Sequence, residues 1–326
     1  MSWPLLAIGI SLVLSYLLTP TAGKLAWRIG AIHQPGERRV HATPTPGFGG
    51  MAIYVGFIVA VLIVVALDKS ISFDKQVIAV LVAGTVVAIC GAIDDKYDLS
   101  PILQILGIVA ATLILIHFGI KISHITKPFN SPSLVALGVW SIPITIIWVF
   151  GVTKTVDLMD GMDGLASGIC AIVAMTLLLM AIQAKSQQTA LAGSFRVVAV
   201  MAGALIGANL GFLRHNYPPA KIFMGTIGSQ FMGFILASLS IVGAFKVAAL
   251  VAVAVPVVAL GVPILDATFV VVRRFLDRRP MHLADKSHVH HRLLERGMSH
   301  SQVVLIIYGL TMVLSAAALT LYAVSR

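Results

Sequence analysis

The 326 residues hold only two cysteines, Cys90 and Cys170, both inside apolar runs, which excludes a disulfide framework and a cysteine-based zinc site. Charge is almost as scarce. Asp, Glu, Lys and Arg together make up 11% of the chain, acids number 13, and aromatics reach 7%. A chain of this length with so little charge lacks the polar surface of a water-soluble domain. Internal repeats, low-complexity runs and linkers long enough to split it are also missing, so residues 1–326 read as a single integral-membrane domain. What fills the chain is aliphatic: hydrophobic residues make up 58% and the mean hydropathy is +0.97, values that suit a polytopic membrane protein.

Ten apolar stretches carry this composition, at about residues 4–20, 49–67, 76–93, 102–118, 134–150, 164–183, 195–213, 226–245, 248–272 and 303–324. A hydrocarbon core of about 30 Å takes roughly 20 residues of helix. Lipid admits only helices or closed barrels, because backbone groups have to be satisfied within the protein. The stretches lack the alternation of barrel strands. The expected fold class is therefore all-α and polytopic, with about ten transmembrane helices. Met1-Ser2-Trp3-Pro4 carries no basic region of a signal peptide, so the first helix is expected to be retained.

Alternate loops share one face of the membrane, and the cations choose which. The loops after helices 1, 3, 5, 7 and 9, with the adjoining helix ends, hold fifteen of the Lys and Arg residues against eight opposite. The positive-inside rule places the rich loops in the cytoplasm and both termini outside. The same face collects the acids, since of the 13 only Asp68 and Asp74 fall on the other side. An ion-coupled transporter would spread polar residues through the membrane depth and over both faces. The pattern favours an enzyme with one aqueous site at the cytoplasmic surface. The net charge of +10 sits in short juxtamembrane loops with no nucleic-acid-reading motif. It suits anionic lipid or an anionic substrate, and no nucleic acid is expected as a partner.

Several clusters stand out. Asp94-Asp95 closes the third stretch and is followed by Lys96 and a Ser100-Pro101 turn. Adjacent acids attract a hard cation or raise one another's pKa, although a solvated helix end explains them equally well. Asp157, Asp160 and Asp163 recur at every third residue before an apolar helix, with Gly161 and Gly164 between and after. A helix beginning here would put Asp157 and Asp160 on one face. An acidic N-terminal cap needs one or two acids, not three. Asp266 lies within an apolar stretch broken by Pro256 and Pro263, and an intramembrane carboxylate is a functional candidate by default. His288, His290, His291 and Arg292 lie with Lys286 and Arg296 in one loop. So many cations disfavour a metal and suit a phosphate clamp. A further basic run with Arg39 and His41 precedes a Pro- and Gly-rich segment at 44–50. Alone it is loop punctuation; beside the basic run it suits a phosphate entry groove.

Taken in order, these pieces resemble the polyprenyl-phosphate N-acetylhexosamine-1-phosphate transferase family, over about residues 33–310. The form of the 38–41 and 288–294 segments is similar to the branch that uses UDP-N-acetylglucosamine. The phospho-MurNAc-pentapeptide branch is the alternative, and a catalytically degenerate scaffold a third reading. The resemblance implies Mg2+ as cofactor, with Mn2+ able to replace it, and UDP-N-acetylhexosamine and undecaprenyl phosphate as partners within membrane lipid. A homodimer is compatible with it, as is a bacterial inner-membrane location. It makes Asp94, Asp95 and Asp266 catalytic, and puts Asp266 and Asp157 on the metal. Arg39, His41, Asp160, Asp163, His288, His290, His291 and Arg292 bind substrate, with Asp163 at the uridine. Direct attack of the lipid phosphate on the UDP-sugar is the expected route, with a base or nucleophile role for Asp94 left open. The chain departs from the family at His33, where Asp is common, and at Lys154 and Asp157, which stand for two Asn. It departs again at Thr226, which stands for an Asp. One carboxylate gained at Asp157 and one lost at Thr226 would preserve the site's anionic count.

Overall fold

The computed structural model describes residues 2–33, 44–68, 75–126, 134–185, 192–243, 261, 264–265 and 293–324. Long α-helices dominate them. In chain order these are α1 (Ser2–Ile29), α2 (Gly50–Leu67), α3 (Lys75–Tyr97), α4 (Pro101–His117), α5 (Ser141–Met159), α6 (Leu165–Lys185), α7 (Ala192–Asn216), α8 (Gly225–Gly243) and α9 (His300–Val324). Eight are long and apolar enough to cross a membrane, and Pro101–His117 is a shorter apolar helix. The protein is an all-α polytopic membrane protein. The expected ninth stretch, 248–272, lies outside the described residues apart from 261 and 264–265, which are helical.

Boundaries moved where polar residues continue a helix beyond its apolar run. α1 extends to Ile29, about two turns past the expected residue 20. α5 is shifted from the expected 134–150 to Ser141–Met159, and residues 134–136 form a strand instead. This corrects the reading of the acidic repeat. Asp157 lies in the last turn of α5 and Asp160 caps its C-terminus, so neither begins the following helix. Two short antiparallel hairpins were not anticipated: Ile32–His33 with Thr45–Pro46, and His124–Thr126 with Leu134–Ala136. Pairs this short carry no alternation to detect.

Lipid offers no hydrophobic gain when two apolar helices meet, so association rests on close packing and small residues. α8 runs through the middle of the bundle, with Gly225 and every residue from Ile227 to Val242 buried. A Cβ on Gly91 of α3 would lie 2.6 Å from the Ile227 Cα, and one on Gly50 of α2 would collide with the backbone of Gly228. Three helices therefore meet α8 backbone to backbone, α2 and α3 at its start and α5 at its middle, where Gly233 faces Thr153. α1 and α7 use the same device, with Gly203, Gly207 and Gly211 against backbone atoms of Pro4, Ile8 and Leu12.

Candidate active site

α3 ends where Asp98 turns to φ 51°, and Ser100-Pro101 starts α4, with Pro101 at its first turn. Proline has no N–H to lose there and disfavours helix in the residue before it, so the chain breaks and restarts at that point. The turn leaves Asp94 buried and engaged, because its Oδ1 accepts from Leu99 N at 3.0 Å and from Gln104 Nε2 of α4 at 2.8 Å. Asp95 points the other way. Its two oxygens accept from Thr226 N at 2.6 Å and Ile227 N at 3.2 Å, the free N–H groups at the start of α8. Gly225 turns into that helix at φ 71°, a conformation glycine adopts without strain.

α5 brings its last turn to the same place. Ser229 of α8 donates its hydroxyl to Asp157 Oδ1. Asp157 Oδ2 accepts from Lys154 Nζ at 2.7 Å and Gln230 Nε2 at 3.2 Å. Lys154 Nζ also donates to Gln104 Oε1 at 2.6 Å. Asp160 follows at the helix end. Part of its surface stays accessible, yet burial, and then the charges of Asp157, Asp95 and Asp163, raise its carboxyl well above the ordinary carboxylate range. Asp163 is buried and its Oδ2 accepts from Ala220 N at 2.9 Å, tying the acidic turn to the segment after α7. Asn216 fastens that turn again, accepting from Gly164 N at 2.9 Å and donating to Ile222 O at 2.9 Å. Tyr308 of α9 donates to Gly164 O.

The first loop joins this end through backbone. Phe223 N donates to Pro46 O at 2.9 Å, and Gly49 N and Gly50 N donate to Phe223 O and Met224 O at 2.9 and 2.7 Å. His33 packs edge-on against Phe223. The motifs at 44–50, Asp94-Asp95, 157–164 and 224–230 thus meet at one end of the bundle, as loop parity requires. Of the remaining expected site residues, Arg39, His41, Asp266, His288, His290, His291 and Arg292 lie outside the described residues. Sequence reasoning missed Gln104, Ser229, Gln230, Asn216 and Tyr308. Gln104 and Gln230 did leave a signal, each being an amide side chain inside an apolar run.

The fit of a metal ion is poor among the described residues. No group of three His, Cys, Asp or Glu side chains there converges to hold one. Asp157, expected as a ligand, has both oxygens engaged by protein donors and its charge matched by the Lys154 ammonium.

Comparison with known proteins decides the family. The family model for glycosyl transferase family 4 matches residues 77–244. The chain is 35% identical over 315 residues to a probable undecaprenyl-phosphate N-acetylglucosaminyl 1-phosphate transferase of Bacillus subtilis (strain 168), spanning 97% of this chain and 84% of that protein. The chain belongs to glycosyl transferase family 4. A second relative is the decaprenyl-phosphate N-acetylglucosaminephosphotransferase of Mycobacterium tuberculosis (strain ATCC 25618 / H37Rv), 36% identical over 91% of this chain and 77% of its own. A phospho-N-acetylmuramoyl-pentapeptide-transferase of Desulfitobacterium hafniense (strain DSM 10664 / DCB-2) is 30% identical over 72% of this chain and 73% of its own. The family match ends at residue 244. It therefore covers every described residue of the acidic cluster but neither Asp266 nor the histidine loop.

Proposed function

We propose that this protein transfers a sugar 1-phosphate, foremost GlcNAc-1-phosphate, from a UDP-sugar to undecaprenyl phosphate with release of UMP, as the first membrane step of a cell-surface glycan. The observation that carries the reading is a hydrogen-bonded polar cluster at one end of a bundle of membrane helices, in a chain 35% identical along 97% of its length to a relative named as a probable undecaprenyl-phosphate N-acetylglucosaminyl 1-phosphate transferase. The asymmetry of Lys and Arg supports a cytoplasmic site in a bacterial inner membrane.

In this reading the lipid phosphate enters from the bilayer and its oxygen attacks the β-phosphorus of the UDP-sugar. A P–O bond to the lipid forms as the bond to UMP breaks. Both partners are anionic, so the barrier is lowered by cationic contacts and by fixed, dehydrated positioning. Arg39, His41, His288, His290, His291 and Arg292 are assigned to the phosphates, and Asp160 and Asp163 to the nucleotide side. Asp94, fixed by Leu99 and Gln104, is assigned to the lipid phosphate. A phosphate oxygen is mostly ionised near neutral pH and needs little help from a base, which favours direct attack over a two-step route. A divalent ion is proposed at Asp266. No step here depends on it, and Asp157 is not assigned to it.

The test is UMP release by the purified protein given undecaprenyl phosphate, Mg2+ and a panel of UDP-sugars. Release with UDP-GlcNAc is expected. Release only with UDP-MurNAc-pentapeptide would assign the other branch. No release with any donor would leave a scaffold, a reading that Lys154 and Thr226 would then support.

A further inference from the structure

Lys154 sits in the last two turns of α5, where an ammonium is costly unless partnered. It has two partners, Asp157 Oδ2 at 2.7 Å and Gln104 Oε1 at 2.6 Å. The direction of each bond is fixed by chemistry, since an ammonium only donates and a carboxylate only accepts. An amide offers oxygen on one side and NH2 on the other. With the Gln104 oxygen held by Lys154, and by Gln230 Nε2 at 3.3 Å, its NH2 is left facing Asp94 and donates to Oδ1 at 2.8 Å. Asp157 is linked to Asp94 through Lys154 and Gln104, across α5, α4 and α3, while Ser229 and Gln230 of α8 close the far side.

We propose that the Lys154 ammonium is the resident cation of this site: it neutralises Asp157, the carboxylate that the family resemblance puts on the metal, and through the Gln104 amide it orients Asp94. Lys154 is a positioning residue, acting on the chemistry through Asp94. A divalent ion at Asp157 would have to compete with an ammonium already in contact and two further donors. The cation at 154 and the anion at 157 arrive together and cancel each other, so Asp157 does not make good the carboxylate lost at Thr226. The orienting part rests on the transferase reading; the cation part does not.

Mn2+ serves as the probe, counted by electron paramagnetic resonance on the purified full chain in detergent. Lys154→Met frees Asp157 and is expected to raise Mn2+ affinity at least about tenfold, because a cation no longer opposes the ion at contact distance. Adding Asp157→Asn should remove that gain. Lys154→Gln keeps hydrogen-bonding capacity without charge and should reproduce the gain if the Met variant fails to fold. Unchanged or weaker Mn2+ binding in Lys154 variants that melt like the parent overturns the cation assignment. For the orienting role, Lys154→Gln should lower kcat at least about tenfold with little change in KM for undecaprenyl phosphate, as expected for a loss felt only in the transition state. Lys154→Arg, which restores the charge and a donor to Gln104, should recover part of it. An Arg variant no better than Gln overturns the orienting role. A parent protein that releases no UMP defeats the transferase reading, while the Mn2+ measurement still decides the cation.

Discussion

At the scale of single residues, the paired aspartates have different work. Among the described residues Asp94 is engaged at Oδ1, by Leu99 N and Gln104 Nε2. Asp95 spends both oxygens on the first N–H groups of α8. A carboxylate at a helix N-terminus answers unpaired donors and the positive end of the helix dipole together. Asp95→Ala should therefore cost about 1–3 kcal/mol of stability, since two partly buried N–H groups lose their acceptor. Asp95→Asn, which keeps one oxygen, should cost about half as much. Chemical unfolding in mixed micelles, followed by circular dichroism, checks both. Two variants as stable as the parent would mean that Asp95 serves chemistry alone. Asp163 and Asn216 make a similar fastening from opposite sides of the acidic turn, so an activity loss at either has to be read beside a stability measurement.

At the scale of elements, the site exists because α2, α3 and α5 approach α8 more closely than side chains allow. Gly50, Gly91 and Gly233 leave no room for a methyl group. Gly91→Ala would force the α3 and α8 backbones apart next to the Asp95 bonds, an overpacking defect expected to cost about 1–3 kcal/mol. The same change at Gly9, where nothing lies within 4 Å of the added carbon, should be neutral or slightly stabilising in helix. The contrast, read as melting temperature of the two variants in one detergent, removes the general effect of alanine. Equal shifts would show that the α3–α8 contact is looser than its geometry indicates. Tyr308 of α9 extends the logic, since its hydroxyl bond to Gly164 O fastens the acidic turn to a helix far along the chain.

At the scale of the whole molecule, the bundle has a polar end where the motifs meet and an opposite end that carries the His124–Thr126 hairpin. The orientation expected from the loop cations, with the polar end in the cytoplasm, can be tested directly. In a protein with Cys90 and Cys170 replaced, a cysteine at Lys121 should react with an impermeant thiol reagent added to intact cells, and one at Ser100 only after lysis; both positions are exposed. The reverse pattern would invert the assignment and put the acidic cluster outside. Much of this architecture was readable from the chain, because the demands of lipid are written in composition. Twenty-residue apolar runs without the alternation of barrel strands have to be helices, and alternate loops between them have to share a face. Parity alone therefore determined that Asp94, Asp95, Asp157, Asp160 and Asp163 would meet. Partnership was decided only by the tertiary structure, because it depends on which helices touch and at what height. Nothing in the spacing of Asp95 tells that it caps a helix beginning at Gly225, or that Gln104 turns its oxygen to Lys154 and its NH2 to Asp94. The acids at 157 and 160 were assigned to the wrong helix end for the same reason. The polar last turn of α5 is stabilised by contacts with α4 and α8 that an apolar run cannot reveal.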